Sequence, residues 1–289
     1  MNLTGWNRNA LKLSLLTAVA LQLAACSTTR LAYNNLDWLI PWYVDDYFDL
    51  RDSQSRYLDR EVADLLRWHC SSELPRYVAW IGRVEAMMAA SEVSDAAIQA
   101  RFDELRGAID RARLRIAPTA VALLGTLDSS QYRQLQTALQ EGNRERAEEY
   151  LADGPRTQIR ARAERLQERL EEWLGALTEA QEKRLLQWAD AIQGLTEAWL
   201  DNRKRWQQQL LQTLRNRNSE RFGPRMGELF RNPEISWTPE YRRIRQHAEH
   251  EALTLTRDLF ATATPEQRDT LRQRLNVLQN DFQALTCQD

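Results

Sequence analysis

From Asp52 to the C-terminus, apolar residues recur every three or four positions with charged residues between them. Tyr57, Leu58, Val62, Leu65, Leu66 and Trp68 fall at helical spacing over 53–72. Val78, Trp80, Ile81, Val84, Met87 and Met88 continue the pattern over 76–90. Positions three and four apart share a helix face, so this period predicts amphipathic helices. Leu74-Pro75 should break or kink the chain between the two, because proline cannot donate to the helical ladder. Ser94 is placed to cap a helix carrying Ile98, Phe102, Leu105, Ile109 and Leu114, with an interruption expected between Pro118 and Leu127. Helices over 129–151 and 156–176 follow, divided by the turn tripeptide Asp153-Gly154-Pro155. Leu185, Ala189, Ile192, Trp199, Trp206, Leu210 and Leu214 form the longest stripe. They predict one central helix over 179–218, about 60 Å long at 1.5 Å per residue. Residues 216–237, with Gly223-Pro224, Gly227 and Asn232-Pro233, read as a long loop or a hinge between subdomains. Helices over 239–261 and 265–285 close the chain.

Composition agrees with that pattern. Gly and Pro number only 10 and 8 in 289 residues, and 43% of the chain is apolar. This favours helix throughout, argues against sheet folds, and leaves enough apolar material for a core. The expected fold is all-α: an elongated multi-helix bundle with one long central helix.

The first 25 residues have a different character. Arg8 and Lys12 precede an apolar run from Leu13 to Leu23, then the small residues Ala24 and Ala25, then Cys26. This is the layout of an export signal, too short to span a bilayer stably. Leu23-Ala24-Ala25-Cys26 reads as a lipoprotein processing site, with Cys26 the acylated first residue of the mature chain. The organisation is then a signal peptide (1–25), a lipidated aromatic-rich segment (26–52) and a helical domain (53–289). Several acyl groups on Cys26 would hold it at a membrane permanently. Ser27 follows where Asp would suggest inner-membrane retention, and so resembles the outer-membrane sorting rule of Gram-negative lipoproteins.

That address changes the reading of charge and cysteine. Of 39 basic residues, removal of Arg8 and Lys12 leaves 37 against 41 acidic ones, finely mixed. No basic footprint for nucleic acid is present. With Cys26 acylated, Cys70 and Cys287 remain as the one possible intramolecular disulfide in an oxidising compartment. The segment 31–48 holds Tyr33, Trp38, Trp42, Tyr43, Tyr47 and Phe48. It is either a membrane-interface belt or a plug for the bundle core, and we expect core packing. Asp45, Asp46, Asp49 and Asp52 lack the spacing of a calcium loop and read as acidic residues near a helix start.

Three helix starts share one grammar. Asp128, Thr178 and Thr264 are each followed three positions later by glutamine, at Gln131, Gln181 and Gln267. These are capping boxes: the cap oxygen takes the N3 amide and glutamine reaches back to the cap amide. Leu50-Arg51-Asp52-Ser53-Gln54 is a weaker copy, with Arg51 in the cap slot. The Leu-Thr-x-x-Gln pattern resembles that of the Spy/CpxP-type periplasmic helical proteins, which include an ATP-independent chaperone. A second resemblance is broader. The blocks CSTTRLAYNNLDW (26–38), YVDDYFDL (43–50), Trp68-His69 and ELPRY (73–77) resemble a proteobacterial outer-membrane lipoprotein family of unknown function. It extends over the mature chain, implies a helical periplasmic lipoprotein, and brings no catalytic residues. Arg51 departs from the threonine expected there.

Chemistry is sparse. His247, His250 and Glu251 lie on one face at i, i+3 and i+4, but not in the His-Glu-x-x-His spacing of zinc enzymes, and no further protein ligand is evident. A solvated polar face is expected, with no metal or other cofactor. His69 adjoins Cys70, which the disulfide uses. Arg160, Arg162, Arg165 and Arg169, and Arg242, Arg243 and Arg245, cluster on helices where interleaved glutamates explain most of them. The expectation is a non-enzymatic protein lipid-anchored to the outer membrane and facing the periplasm. Binding or chaperone-like action on a polypeptide or another envelope component comes first. A structural or assembly subunit is the alternative, and a metal-dependent enzyme built on His247 and His250 the least favoured.

Overall fold

The computed structural model describes residues 29–90, 93–151, 154–285 and 287. The expected export signal and lipidation site at Cys26 lie outside the described residues. Within them the chain is all-α, and no strand occurs. A short helical stretch over 29–34 leads into α1 (Leu36–Asp45) and α2 (Asp52–Trp68). A π-helical turn (His69–Glu73) then joins α2 to α3 (Leu74–Ala89). The succession continues with α4 (Asp95–Gly125), α5 (Ser129–Leu151), α6 (Pro155–Leu174), α7 (Glu179–Ala191) and α8 (Leu195–Arg215). It ends with α9 (Phe222–Arg231), a 3-10 turn (Pro233–Ser236), α10 (Pro239–Thr262) and α11 (Pro265–Ala284).

The largest core joins α2, α4, α5, α8 and α9 through Leu58, Val62, Leu123, Leu135, Leu210 and Met226. A second unites α6, α7 and α10 through Ala163, Leu185, Ala189 and Leu255. A third packs Ile81, Val84 and Met88 of α3 against Leu275 of α11. The last helix thus returns to the third.

Three local expectations are corrected. Residues 179–218 are not one long helix: α7 ends at Ala191 and α8 begins at Leu195. Gly194 sits between them at φ +77°, a left-handed conformation open to glycine at no steric cost. The stripe Leu185–Ala189–Ile192–Leu200–Leu210–Leu214 is buried on both sides of the break, so periodicity alone runs through it. The longest helix is α4, and Pro118 lies inside it. Proline there removes one ladder donor, and packing of Ala117, Leu123 and Leu124 against the core outweighs that loss. Residues 216–237 are not an open loop. They fold as α9 and the 3-10 turn, with Met226 fully buried and Phe222 against the backbone at Gly125.

The capping glutamines do more than cap. Gln181 and Gln267 are both buried and exchange reciprocal hydrogen bonds, each amide donating to the other's oxygen at 2.9 Å. Gln181 also donates to the Thr262 carbonyl and Gln267 to that of Ala176. Their oxygens accept the cap amides of Thr178 and Thr264. Gln54 and Gln131 form the same knot between the starts of α2 and α5, at 3.2 and 2.7 Å. Arg51 has no acceptor for a cap, but its guanidinium reaches the Thr126 carbonyl and Gln131 Oε1 across the knot. Each pair fills the amides' donor and acceptor sites, as a buried polar group requires.

Gln181→Ala should therefore cost about 2 kcal/mol, because it leaves one donor and one acceptor position of the buried Gln267 amide unfilled. Replacing both by Leu should cost less than the sum of the two single Leu variants. A thermal-denaturation double-mutant cycle measures this, and additive losses would refute the pairing.

Candidate functional site

The largest core is not filled. A half-open cavity of about 600 Å³ lies within it. Its walls are the inner face of α1 (Ile40, Tyr43, Val44), Tyr47 and Phe48, and residues of α2, α4, α5 and α8, with Phe230 of α9 closing it. Leu58, Val62, Leu123, Leu124, Leu135, Leu139 and Leu210 supply most of the apolar surface. The chamber is partly open to solvent, a cleft in the core rather than a sealed void. The volume falls within the roughly 300–1,000 Å³ of ordinary ligand sites.

Few polar groups face the cavity. Glu61 accepts a hydrogen bond from the Thr119 hydroxyl at 2.8 Å. Arg203 is half-buried, and no carboxylate lies within ion-pair distance of it among the described residues. Its Nε donates to Asn143 Oδ1 at 3.0 Å, and the Asn143 amide donates to Gln207 Oε1. The guanidinium lies 5.7 Å from the centre of the Trp199 ring. Burial, and then the neighbouring Arg146, push the Arg203 pKa below its ordinary value. Tyr47 shares a hydroxyl–hydroxyl hydrogen bond of 3.0 Å with Tyr43. Burial and that bond raise the Tyr47 pKa, against the pull of Arg203 and Arg146. The site is an apolar chamber with two phenols and the half-buried Arg203 at one side, and with the exposed Arg115 in its lining one turn of α4 from Thr119.

A profile for a family of unknown function, DUF6279, matches residues 46–242. The chain belongs to that family. No curated protein and no solved structure matches it. The DUF6279 match takes in Tyr47, Phe48, α2, α4, α5, α8 and α9, so all cavity walls but α1 lie inside it.

The expected site residues fall elsewhere. Cys70 and Cys287 are joined in a disulfide with their Cα atoms 5.5 Å apart. Asp128 caps α5 through the Ser130 and Gln131 amides, while Thr178 and Thr264 cap α7 and α11. His247 Nε2 bonds the Ala191 carbonyl, His250 is exposed, and Glu251 is half-buried. No group of three or more His, Cys, Asp or Glu among the described residues is placed to hold a metal. Arg162 serves the C-terminal end of α7 by donating to the Ala189 carbonyl, and Arg165 lies over the Tyr150 ring. Asp45 accepts the Leu50 amide and Asp49 binds Gln134.

The aromatic segment is divided between the core and the surface. Phe48 is buried and Tyr47 half-buried against the core, whereas Trp38, Trp42 and Tyr43 are 55, 58 and 54% exposed. One further cluster surrounds the π turn. Glu73, 1% exposed, takes a bidentate salt bridge from Arg111 at 2.7–3.1 Å. His69 bonds the Tyr33 hydroxyl through Nδ1 and that of Tyr77 through Nε2. Burial lowers the His69 pKa and raises those of Tyr33 and Tyr77. These bonds tie the N-terminal segment to the turn that holds Cys70, and they serve structure.

Sequence reasoning missed Arg203. A signal was present: its neighbours three and four positions away are Trp199, Leu200, Trp206 and Gln207. An arginine in an apolar stripe, with no acid at salt-bridge spacing, differs from the paired arginines around it.

Proposed function

We propose that this protein is a non-enzymatic binding protein that holds an apolar ligand in the cavity between α1, α2, α4, α5 and α8. The cavity carries the reading: a 600 Å³ apolar chamber left open in the largest core. The protein is tethered through acylated Cys26 to the periplasmic face of the outer membrane. Two observations support that placement. The Cys70–Cys287 disulfide suits an oxidising compartment. The exposed Trp38, Trp42 and Tyr43 follow closely on the anchor and are residues favoured at bilayer interfaces. No helix among the described residues is long and apolar enough to cross a membrane.

The uncharged fluorophore N-phenyl-1-naphthylamine should bind at one site per chain. Leu139→Trp, which fills the cavity, should weaken it by about 10-fold or more, or some 1.4 kcal/mol. Absence of binding to the folded wild-type protein would overturn the reading. For the tether, Cys26→Ser should leave the protein in the soluble fraction; membrane retention of that variant would disprove it.

A second reading, a docking subunit of an envelope complex, is favoured by Leu105, Ile109 and Ile116, exposed along one side of α4. A stoichiometric partner lost on their joint substitution by Ser would favour it.

A further inference from the structure

We propose that the cavity takes a single acyl chain ending in an anionic oxygen group, a carboxylate or a phosphate, which Arg203 receives. This rests on the binding reading above and names its ligand class. The apolar walls suit a hydrocarbon chain, since they come almost wholly from Leu, Val, Ile and aromatic side chains. The head group follows from charge. Arg203 lines the chamber beside Arg146, and neither is ion-paired to a carboxylate among the described residues.

Two neighbouring guanidiniums disfavour each other, and partial burial strips water from Arg203. An incoming anion relieves both costs and can take a forked, charge-assisted pair. Arg203 is held ready for it. Asn143 fixes its Nε, Gln207 orients Asn143, and the guanidinium lies 5.7 Å from the centre of the Trp199 ring. The hydroxyls of Tyr43 and Tyr47 are bonded to each other, which leaves one of their two O–H donors for a ligand on the same side. Glu61, the cavity's carboxylate, already accepts the Thr119 hydroxyl and would repel a head group entering beside it. Arg115, the other cation in the lining, is exposed and lies one turn of α4 from Thr119, so the half-buried Arg203 is the cation that an anion entering the chamber would meet away from Glu61. The chain's own anchor presents acyl groups without an anionic terminus, so it is a poor match for Arg203.

The test uses the full chain carrying Cys26→Ser in detergent-free buffer near pH 7.5. Hexadecanoate, hexadecyl phosphate and methyl hexadecanoate compete against bound N-phenyl-1-naphthylamine. Both anions should displace the probe at about 10-fold lower concentration than the uncharged ester, as expected for a charge-assisted bond in a half-buried site. Arg203→Met should erase that preference while leaving the ester's potency unchanged, and Arg203→Lys should restore part of it. If Arg203→Met no longer binds the probe, Arg146→Met replaces it and should weaken the two anions selectively. The better of the two anions identifies the source, a free fatty acid or a phospholipid fragment. Equal potency of anions and ester overturns the inference. So does a probe that binds but that none of the three displaces. Failure of the wild-type protein to bind the probe overturns the binding reading itself.

Discussion

Removing the Cys70–Cys287 disulfide, by Cys70→Ala with Cys287→Ala, should lower the unfolding free energy by about 3–5 kcal/mol. The bridge spans 217 positions, and a cross-link closing so long a loop withdraws roughly 5 kcal/mol of chain entropy from the unfolded state. Its placement adds to the effect. It joins the π turn to the segment just beyond α11, and Leu285 and Phe282 pack with Cys70, Leu74 and Tyr77 beside it. Without it, α11 is still held to α3 by the cluster of Ile81, Val84, Met88 and Leu275, by Phe282 and Leu285 against Leu74 and Tyr77, and by the Gln279 amide on the Val78 carbonyl, and to α7 by the Gln181–Gln267 knot. The midpoint of thermal unfolding should fall by about 10 °C in a chain of this size. Amide exchange should quicken in α11 before it does in α5. A midpoint unchanged to within about 2 °C would show that the bridge constrains little.

Arg111→Met should cost about 2–4 kcal/mol near neutral pH, because it leaves Glu73 buried without its bidentate partner. Arg76, 3.7 Å from Glu73 but mostly exposed, offsets part of the loss. The sign of the pH dependence identifies the cause. In the native protein the hydrogen bonds from Arg111 hold the Glu73 pKa below its ordinary value. That stabilisation is complete above the unfolded carboxylate pKa of about 4.3 and is lost as pH falls through the lower folded value. In the variant, burial dominates and lifts the Glu73 pKa, so the folded state takes up a proton first. Acidification then relieves the strain, and the deficit against wild type narrows as pH falls below about 5. Urea titrations at several pH values measure it. A deficit constant from pH 4 to pH 8 would mean that Arg111 acts by packing alone.

Local features were legible in the chain because they depend on residues a few positions apart. Helix starts at Thr178 and Thr264 follow from a cap oxygen and a glutamine three residues on, a geometry closed within one turn. The all-α fold follows from the three-and-four periodicity, and the pairing of Cys70 with Cys287 from parity once Cys26 is set aside. The aromatic segment was only half legible, since spacing does not say which of Trp38 or Phe48 meets a neighbouring helix. The break at Gly194 was hidden because both helices bury the same stripe against connected cores.

The sequence by itself determined which stretches are helical, where most of them begin and which face of each is apolar. Only the tertiary structure decided what those faces enclose. It joined Gln54 to Gln131 and Gln181 to Gln267, across 77 and 86 positions, into two saturated knots. It set α1 beside α2, α4, α5 and α8 so that their leucines surround a chamber they do not fill. It also placed Arg203 and Arg146 together without a carboxylate to neutralise them. The physical reason is that amphipathic periodicity specifies how much apolar surface a helix must bury and on which side. The partner that buries it, and the space left between, depend on how side chains from distant segments fit.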